Sequence, residues 1–455
     1  MKSVNPWSFV RITPFFHRPE ASNHASEFHR GVVYNRSVFK RLIKSTPVPE
    51  NYRANFIHLY FDIGWFGILS GSAINFLNIY AARLGASVFQ IGLLAAVSAV
   101  VNLMFAIPAG RWLERRSIGK SVFWTSVFYR IGFALWIPLP WLFGNQGQVW
   151  ALIAIALYMG IPLTALSVGF NALFASAVPN EYRAHVAGLR NIVLSVAYIL
   201  SSIGSGYILD HLPFPAGYQV IFGIGFFGAA MSSLHLFFVR PLSTDIPPLP
   251  PTPITDPAKE TDTQSRPWLA ALRLDIWKTY YRRQLLLLLG FHATQYLAIP
   301  LFSIYMVHDL HLNDDQIGIG TAIFYLTVLL GSTQLKSIVR RLGHKGVTGY
   351  GVITMALYPI IMALSTQVWH FYALSAIGGF AWSLVGGAYA NYLLEHTPAH
   401  DRPSHLAWYN VVLNAAILFG SLAGPALADG IGLAAALIVF GILRLVAGVA
   451  ILKWG

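Results

Sequence analysis

From Ala54 to the C-terminus the chain is a succession of twelve apolar stretches, each close to the roughly 20 helical residues needed to cross a hydrocarbon layer. In hydrocarbon every backbone N–H and C=O must be satisfied within the spanning structure, which leaves α-helices or a closed barrel. These stretches are too long and too uniformly apolar for the alternating pattern of barrel strands. The expected fold is therefore an all-α membrane protein with 12 transmembrane helices. Composition agrees: 55% of the 455 residues are hydrophobic and 11% are charged, and the mean hydropathy is +0.56, so polar surface is too scarce to cover a soluble globule. No cysteine occurs, which excludes disulfides, thiolate nucleophiles and Cys-ligated metals.

The spans run roughly over 54–80, 87–109, 121–143, 149–174, 186–209 and 218–239, then over 285–307, 317–335, 347–364, 370–394, 406–428 and 433–452. They divide the chain into a tail 1–53, a six-helix half 54–239, a polar connection 240–283 and a second six-helix half 284–455. The tail is basic and lacks an apolar core of signal-peptide length, as expected of a retained cytoplasmic extension. In the connection, the prolines between Pro247 and Pro257 favour an extended linker. Trp268, Leu269, Leu272, Ile276 and Tyr280 then share one helical face beside Arg273 and Lys278, which fits a helix lying on an anionic membrane surface or a plain cytoplasmic helix. With the tail inside, all but three of the 31 Lys and Arg fall on that side; Arg83 is in an outer loop, and Arg130 and Arg444 are within spans. This bias puts both termini in the cytoplasm and the protein in the cytoplasmic (inner) membrane. The net charge of +13 then marks orientation, and nucleic acid is not expected as a partner.

Pro179, Arg183, Asn191 and Asp210 recur as Pro398, Arg402, Asn410 and Asp429 at a constant offset of 219. Tyr80 with Gln90-Ile91-Gly92 is echoed by Tyr305 with Gln316-Ile317-Gly318. Each half is one copy of a six-span unit, and a parallel repeat of this kind places a cavity between the halves near mid-membrane.

After span 2 the chain reads Gly110-Arg111-Trp112-Leu113-Glu114-Arg115-Arg116, then Gly119-Lys120. This resembles the loop signature of the major facilitator superfamily, with Glu114 in place of the usual aspartate and one extra residue before Gly119. The cognate loop after span 8 keeps Arg340, Arg341, Gly343 and Lys345 but has no acid. Gly204-Ser205-Gly206 in span 5 and Gly420 with Gly424-Pro425 in span 11 also look like that superfamily's glycine-rich helices; small residues there allow close helix approach whatever the function. The resemblance implies two six-helix pseudo-repeats working by alternating access. It also implies gating roles for Gly110, Arg111, Glu114 and Arg115 and, through the repeat, for Arg183 and Arg402.

Polar side chains in a span mark the face that avoids lipid. Asn191, Ser195, Tyr198 and Ser202 form one such stripe, mirrored by Asn410, Asn414 and Ser421. Asn171 on span 4, Tyr325 on span 8, Tyr389 on span 10 and the trio His292, Gln295 and Tyr296 on span 7 complete the candidate binding set. Each could equally be an interhelical hydrogen bond or a core aromatic. Three charges lie inside spans: Asp62, Arg130 and Arg444. Asp62 is the candidate for ion coupling, since a carboxylate in low dielectric is pushed toward the working pH range; the alternative is a structural partner for one of the arginines. No nucleotide-binding loop, nucleophile and base spacing or metal set is present. The cluster Glu395, His396, His400 and His405 lies in a short loop next to Pro398 and is not read as a metal site. The chain therefore reads as a monomeric, cofactor-free secondary transporter, not an enzyme, whose partners are a small-molecule substrate, a coupled proton and membrane lipids. A transporter-like sensor or membrane-complex assembly factor without flux is the rival.

Overall fold

The computed structural model describes residues 50–242, 273–398 and 401–455. The tail up to residue 49, the Pro247 to Pro257 run, Trp268, Leu269, Leu272 and His400 lie outside the described residues. Twelve helices follow. The first half comprises α1 (Glu50–Leu69, carried on by a π-helical turn Ser70–Ile74 and a last segment Asn75–Arg83), α2 (Val88–Glu114), α3 (Ile118–Trp136), α4 (Asn145–Ala177), α5 (Asn180–His211) and α6 (Ala216–Phe238). The second half comprises α7 (Tyr281–Ile304, with a π-helical turn Tyr305–Asp309), α8 (314–342), α9 (344–364), α10 (Val368–Glu395), α11 (Arg402–Ile431) and α12 (Leu433–Trp454). Gly343 alone separates α8 from α9, at φ 68° and ψ 170°, a conformation open essentially only to glycine. Among the described residues, nine continuous helical stretches are long and apolar enough to cross a membrane, one of them running through both α8 and α9.

The repeat is visible in how helices begin. Ser87 and Gln90 form a reciprocal capping box at the start of α2, and Asn313 and Gln316 form its cognate at the start of α8, so each echoed glutamine satisfies helix N–H groups that would otherwise be orphaned. The glycines bring backbones together within each half. A Cβ on Gly71 of α1 would lie 2.5 Å from the Tyr198 carbonyl oxygen of α5, and one on Gly424 of α11 would run into the Leu297 carbonyl oxygen of α7. The same helix pairing is thus sealed by glycine on α1 in one half and on α11 in the other. Large apolar side chains such as Trp141, Leu200 and Phe227 face outward, as lipid contact requires.

Three readings change at this level. The signature Gly110 to Glu114 is not a loop but the last turn of α2, with Arg115 as its cap. Arg190, counted from sequence among the loop arginines, lies well inside α5 and is 6% exposed; helix α5 starts at Asn180, six residues before the apolar stretch that marks it in the sequence. Of the stretch predicted as a surface helix, Leu274–Lys278 is a 3-10 turn with Ile276 buried and Tyr280 exposed.

The halves meet at one end. Arg83 donates to the Leu312 carbonyl at 2.7 Å and to Asp314 at 3.1 Å, His308 bonds the Ala82 carbonyl, and Ser202 Oγ donates to the Gly318 carbonyl at 3.1 Å. Tyr198 stacks on Tyr325 with ring centroids 3.9 Å apart. Gly206 and Gly318 press on each other's helices, as do Gly92 and Ser421. These hydrogen bonds, the ion pair and the ring stack lie from the mid-depth Tyr198–Tyr325 pair outward to this end. Toward the end that carries the linker, Asn171, His185, Ser332, Thr333 and Gln334 are exposed.

Candidate functional site

In the first half a polar network crosses four helices. Asp62 Oδ2 on α1 accepts from both Nη atoms of Arg190 on α5, each at 3.1 Å, and Oδ1 accepts from Ser232 on α6 at 2.5 Å. Arg130 on α3 donates to Ser232 and Ser233 at 2.7 Å each and stands 3.9 Å from Asp62. Arg190 also donates to the Leu59 carbonyl and lies 4.9 Å above the Phe170 ring of α4. Asp62 is 3% exposed and its lone pairs are met by charged and hydroxyl donors, the arrangement that makes a buried carboxylate tolerable.

In the second half the corresponding contact is neutral. His292 Nε2 on α7 shares a hydrogen bond of 3.0 Å with the Tyr409 hydroxyl on α11, and Tyr389 on α10 meets the imidazole edge to face at 5.9 Å. Gln295 and Tyr296 are buried on the same helix. Arg444 on α12 donates to the Met355, Thr294 and Gln295 carbonyls, so it braces α9 and α7 without an acidic partner.

Where the halves meet, Tyr198 donates to Asn75 Oδ1 at 3.2 Å and Asn75 donates to Ser202 at 3.3 Å within the first half; with Tyr325 stacked on Tyr198 these residues form a polar and aromatic cluster near mid-depth. Sequence reasoning missed Asn75, Tyr409 and Arg190. Tyr409 sits at the repeat offset from Arg190, a signal hidden because the two residue types differ. Asn171 is exposed and bonds its own helix at the Ser167 carbonyl, Asn414 bonds the Asn410 carbonyl, and Asn191 is half-buried on α5. Arg111, Glu114 and Arg115 are exposed, and Glu114 makes no hydrogen bond or ion pair among the described residues. Arg183 donates to the Val178 and Ala175 carbonyls, capping the end of α4, where a cation also suits the helix dipole. Its repeat mate Arg402 is exposed at the start of α11.

Two six-helix sets, bonded to each other toward one end and with polar side chains exposed toward the other, make up a membrane transport fold. The chain belongs to the Major Facilitator Superfamily, whose family profile matches residues 63–294 and 285–455. It is 24% identical over 286 residues, 61% of its length, to the cis,cis-muconate transport protein of Acinetobacter baylyi; the match spans 65% of that relative, less than two thirds. In fold it is similar to the nucleoside transporter NupG (TM-score 0.61, 14% identity, 88% of this chain and 99% of that one). It is likewise similar to the xylose transporter XylE from E. coli in an inward-open conformation (TM-score 0.63, 15% identity, 89% and 96%). At these identities the structural likeness is one of fold.

Proposed function

We propose that this transporter works by alternating access, as a secondary carrier of a small organic solute across the cytoplasmic membrane, with both termini in the cytoplasm. The observation that carries the reading is that the bonds named between the halves lie toward one end while polar side chains are exposed toward the other, as expected of a body in one half of an alternating cycle. The seam of Arg83, Asp314 and the facing glycines is the outer gate, and Glu114, Arg111 and Arg115 at the end of α2 belong to the gate that closes when the linker side shuts. Asn191, Tyr198, Tyr325, His292, Tyr296, Tyr389 and Asn410 are the solute-facing set, with Gln295 and Asn414 supporting it. Asp62 serves this machine as a positioning residue that holds α1 to α5, α3 and α6. The named substrate of the muconate relative puts small unsaturated organic acids first among solutes to test.

Counterflow in proteoliposomes loaded with cis,cis-muconate and a panel of other small organic solutes tests this reading. Exchange of labelled solute is expected; a protein that binds solutes yet exchanges none of them is a sensor and sinks it. Topology is checked in the naturally cysteine-free background. Lys120→Cys should react with impermeant reagents only from inside and Gln146→Cys only from outside.

A further inference from the structure

The membrane interior holds charges that its own residues do not balance. Among the described residues the buried charged side chains are Asp62, Arg130, Arg190 and Arg444, each at most 6% exposed. One carboxylate thus faces three guanidinium groups, an excess of two positive charges. Arginine does not deprotonate in proteins, so the excess cannot be discharged by losing a proton. Carbonyls and hydroxyls solvate these cations but do not neutralise them, and the Nε atoms of Arg130 and Arg444 have no hydrogen-bond partner among the described residues.

Position narrows what can supply the missing negative charge. Arg444 is near the middle of α12 (Leu433–Trp454), about 15 Å from either end at 1.5 Å per residue, beyond the reach of lipid head groups. Two of its three carbonyl partners belong to Thr294 and Gln295, so its charge stands directly behind the part of α7 that carries His292 and Tyr296. In the first half, Arg190 precedes Asn191 on α5, and its one acid is already shared with Arg130. The surplus positive charge therefore stands in both halves, beside α7 and on α5, the helices that carry His292, Tyr296, Asn191 and Tyr198, and an isolated buried charge is costly enough that a compensating ion is strongly favoured.

We infer that the solute bound between the halves is an organic dianion, whose two negative charges balance the two surplus guanidinium groups. This rests on the carrier reading for where the solute sits, but not for its charge.

Calorimetric titration of the purified full chain tests it with ligands that share a skeleton and differ in charge. cis,cis-Muconate carries two carboxylates, hexa-2,4-dienoate one, and hexa-2,4-dienamide none; succinate, phthalate and their half-esters and diamides extend the series. Expected is a Kd that rises on the order of ten-fold with each charge removed, as one unit charge about 10 Å away in a protein interior implies. Arg444→Met should lose about that factor for the dianions and less for the monoanions, while Arg444→Lys keeps the dianion preference. If Arg444→Met does not fold, the wild-type series decides alone. Equal or tighter binding of the neutral members, or no dianion bound at millimolar concentration, overturns the inference. The two readings fail separately. Dianion binding without counterflow removes the carrier and leaves the charge inference standing, whereas counterflow of a neutral solute in preference to dianions does the reverse.

Discussion

At one position of the repeat the two halves make opposite choices. Arg190 of α5 grips Asp62 of α1, while Tyr409, 219 residues later on α11, shares a neutral hydrogen bond with His292 of α7. Both contacts join cognate helices, and both sit beside the repeated Asn191 and Asn410. The first is a charge cluster fixed from four helices and closed to water; the second is an imidazole and phenol pair among aromatic rings that can exchange partners without leaving a bare charge. The difference teaches that the shared architecture does not need the ion pair. One half uses charge for fixed geometry, and the other keeps an adaptable polar surface.

The sharpest way to break this comparison is to cut both contacts. Arg190→Met removes both direct guanidinium hydrogen bonds to Asp62 and leaves it only Ser232 and the more distant Arg130; it should destabilise by about 3 kcal/mol, seen as loss of monodisperse protein on size-exclusion chromatography. Tyr409→Phe removes one neutral bond and should cost about 1 kcal/mol, leaving the fold intact but weakening solute binding; equal damage from the two variants would erase the distinction. Between these lies the helix seam. Gly424→Ala drives a methyl against the Leu297 backbone and should cost about 1–3 kcal/mol, whereas Gly64→Ala meets only the Val193 side chain at 3.3 Å and should be nearly silent in a melting curve.

The smallest effect lies outside the membrane, where the linker rejoins the second half. Arg273 bonds Asp401 at 2.8 Å, and Trp408 donates to the Arg273 carbonyl. Burial alone would raise the Asp401 carboxyl, but hydrogen bonds from Ser404 and Arg273 hold it below its ordinary value. The contact is therefore at full strength above the unfolded carboxylate pKa of about 4 and is lost as pH falls through the lower folded value. As a half-exposed pair it contributes at most about 1 kcal/mol. Melting temperature measured against pH should show a small acid-limb loss in the wild type that Asp401→Asn lacks.

The helical class, the twelve spans and the repeat were legible because hydrocarbon leaves so few ways to satisfy a backbone, and because Gln90 and Gln316 do the same capping job twice. The site was legible only in part. Tyr198 and Tyr325 announced themselves as polar positions in apolar spans, and they do meet. Arg190 did not: it falls within the span 186–209 but close to its polar beginning, Asn180, Glu181, Arg183 and His185, and so was counted with the basic residues of the loop. Nor could sequence show that Gln295 offers its backbone to Arg444, since a carbonyl has no letter. The glycines of α1 were overlooked for a related reason: Gly67 and Gly71 matter through Ala197 and Tyr198, residues more than a hundred positions away.

The seam of Gly206 with Gly318 and Gly92 with Ser421 has a thermodynamic side. Interfaces between large apolar side chains are hard to part, since each exposed side chain costs roughly 1.5–3 kcal/mol. Here part of the closed end is backbone laid against backbone at these glycines, beside apolar side chains that the two halves bury together, with one ion pair at its rim. At these glycines parting uncovers less apolar area than packed side chains would, which lowers the free-energy difference between the two states of the cycle. A ligand need then contribute only a modest difference in affinity to tip the balance. Replacing those glycines with leucine would do more than crowd the joint: it would widen the gap between the two populations and make a reversible machine into a latched one.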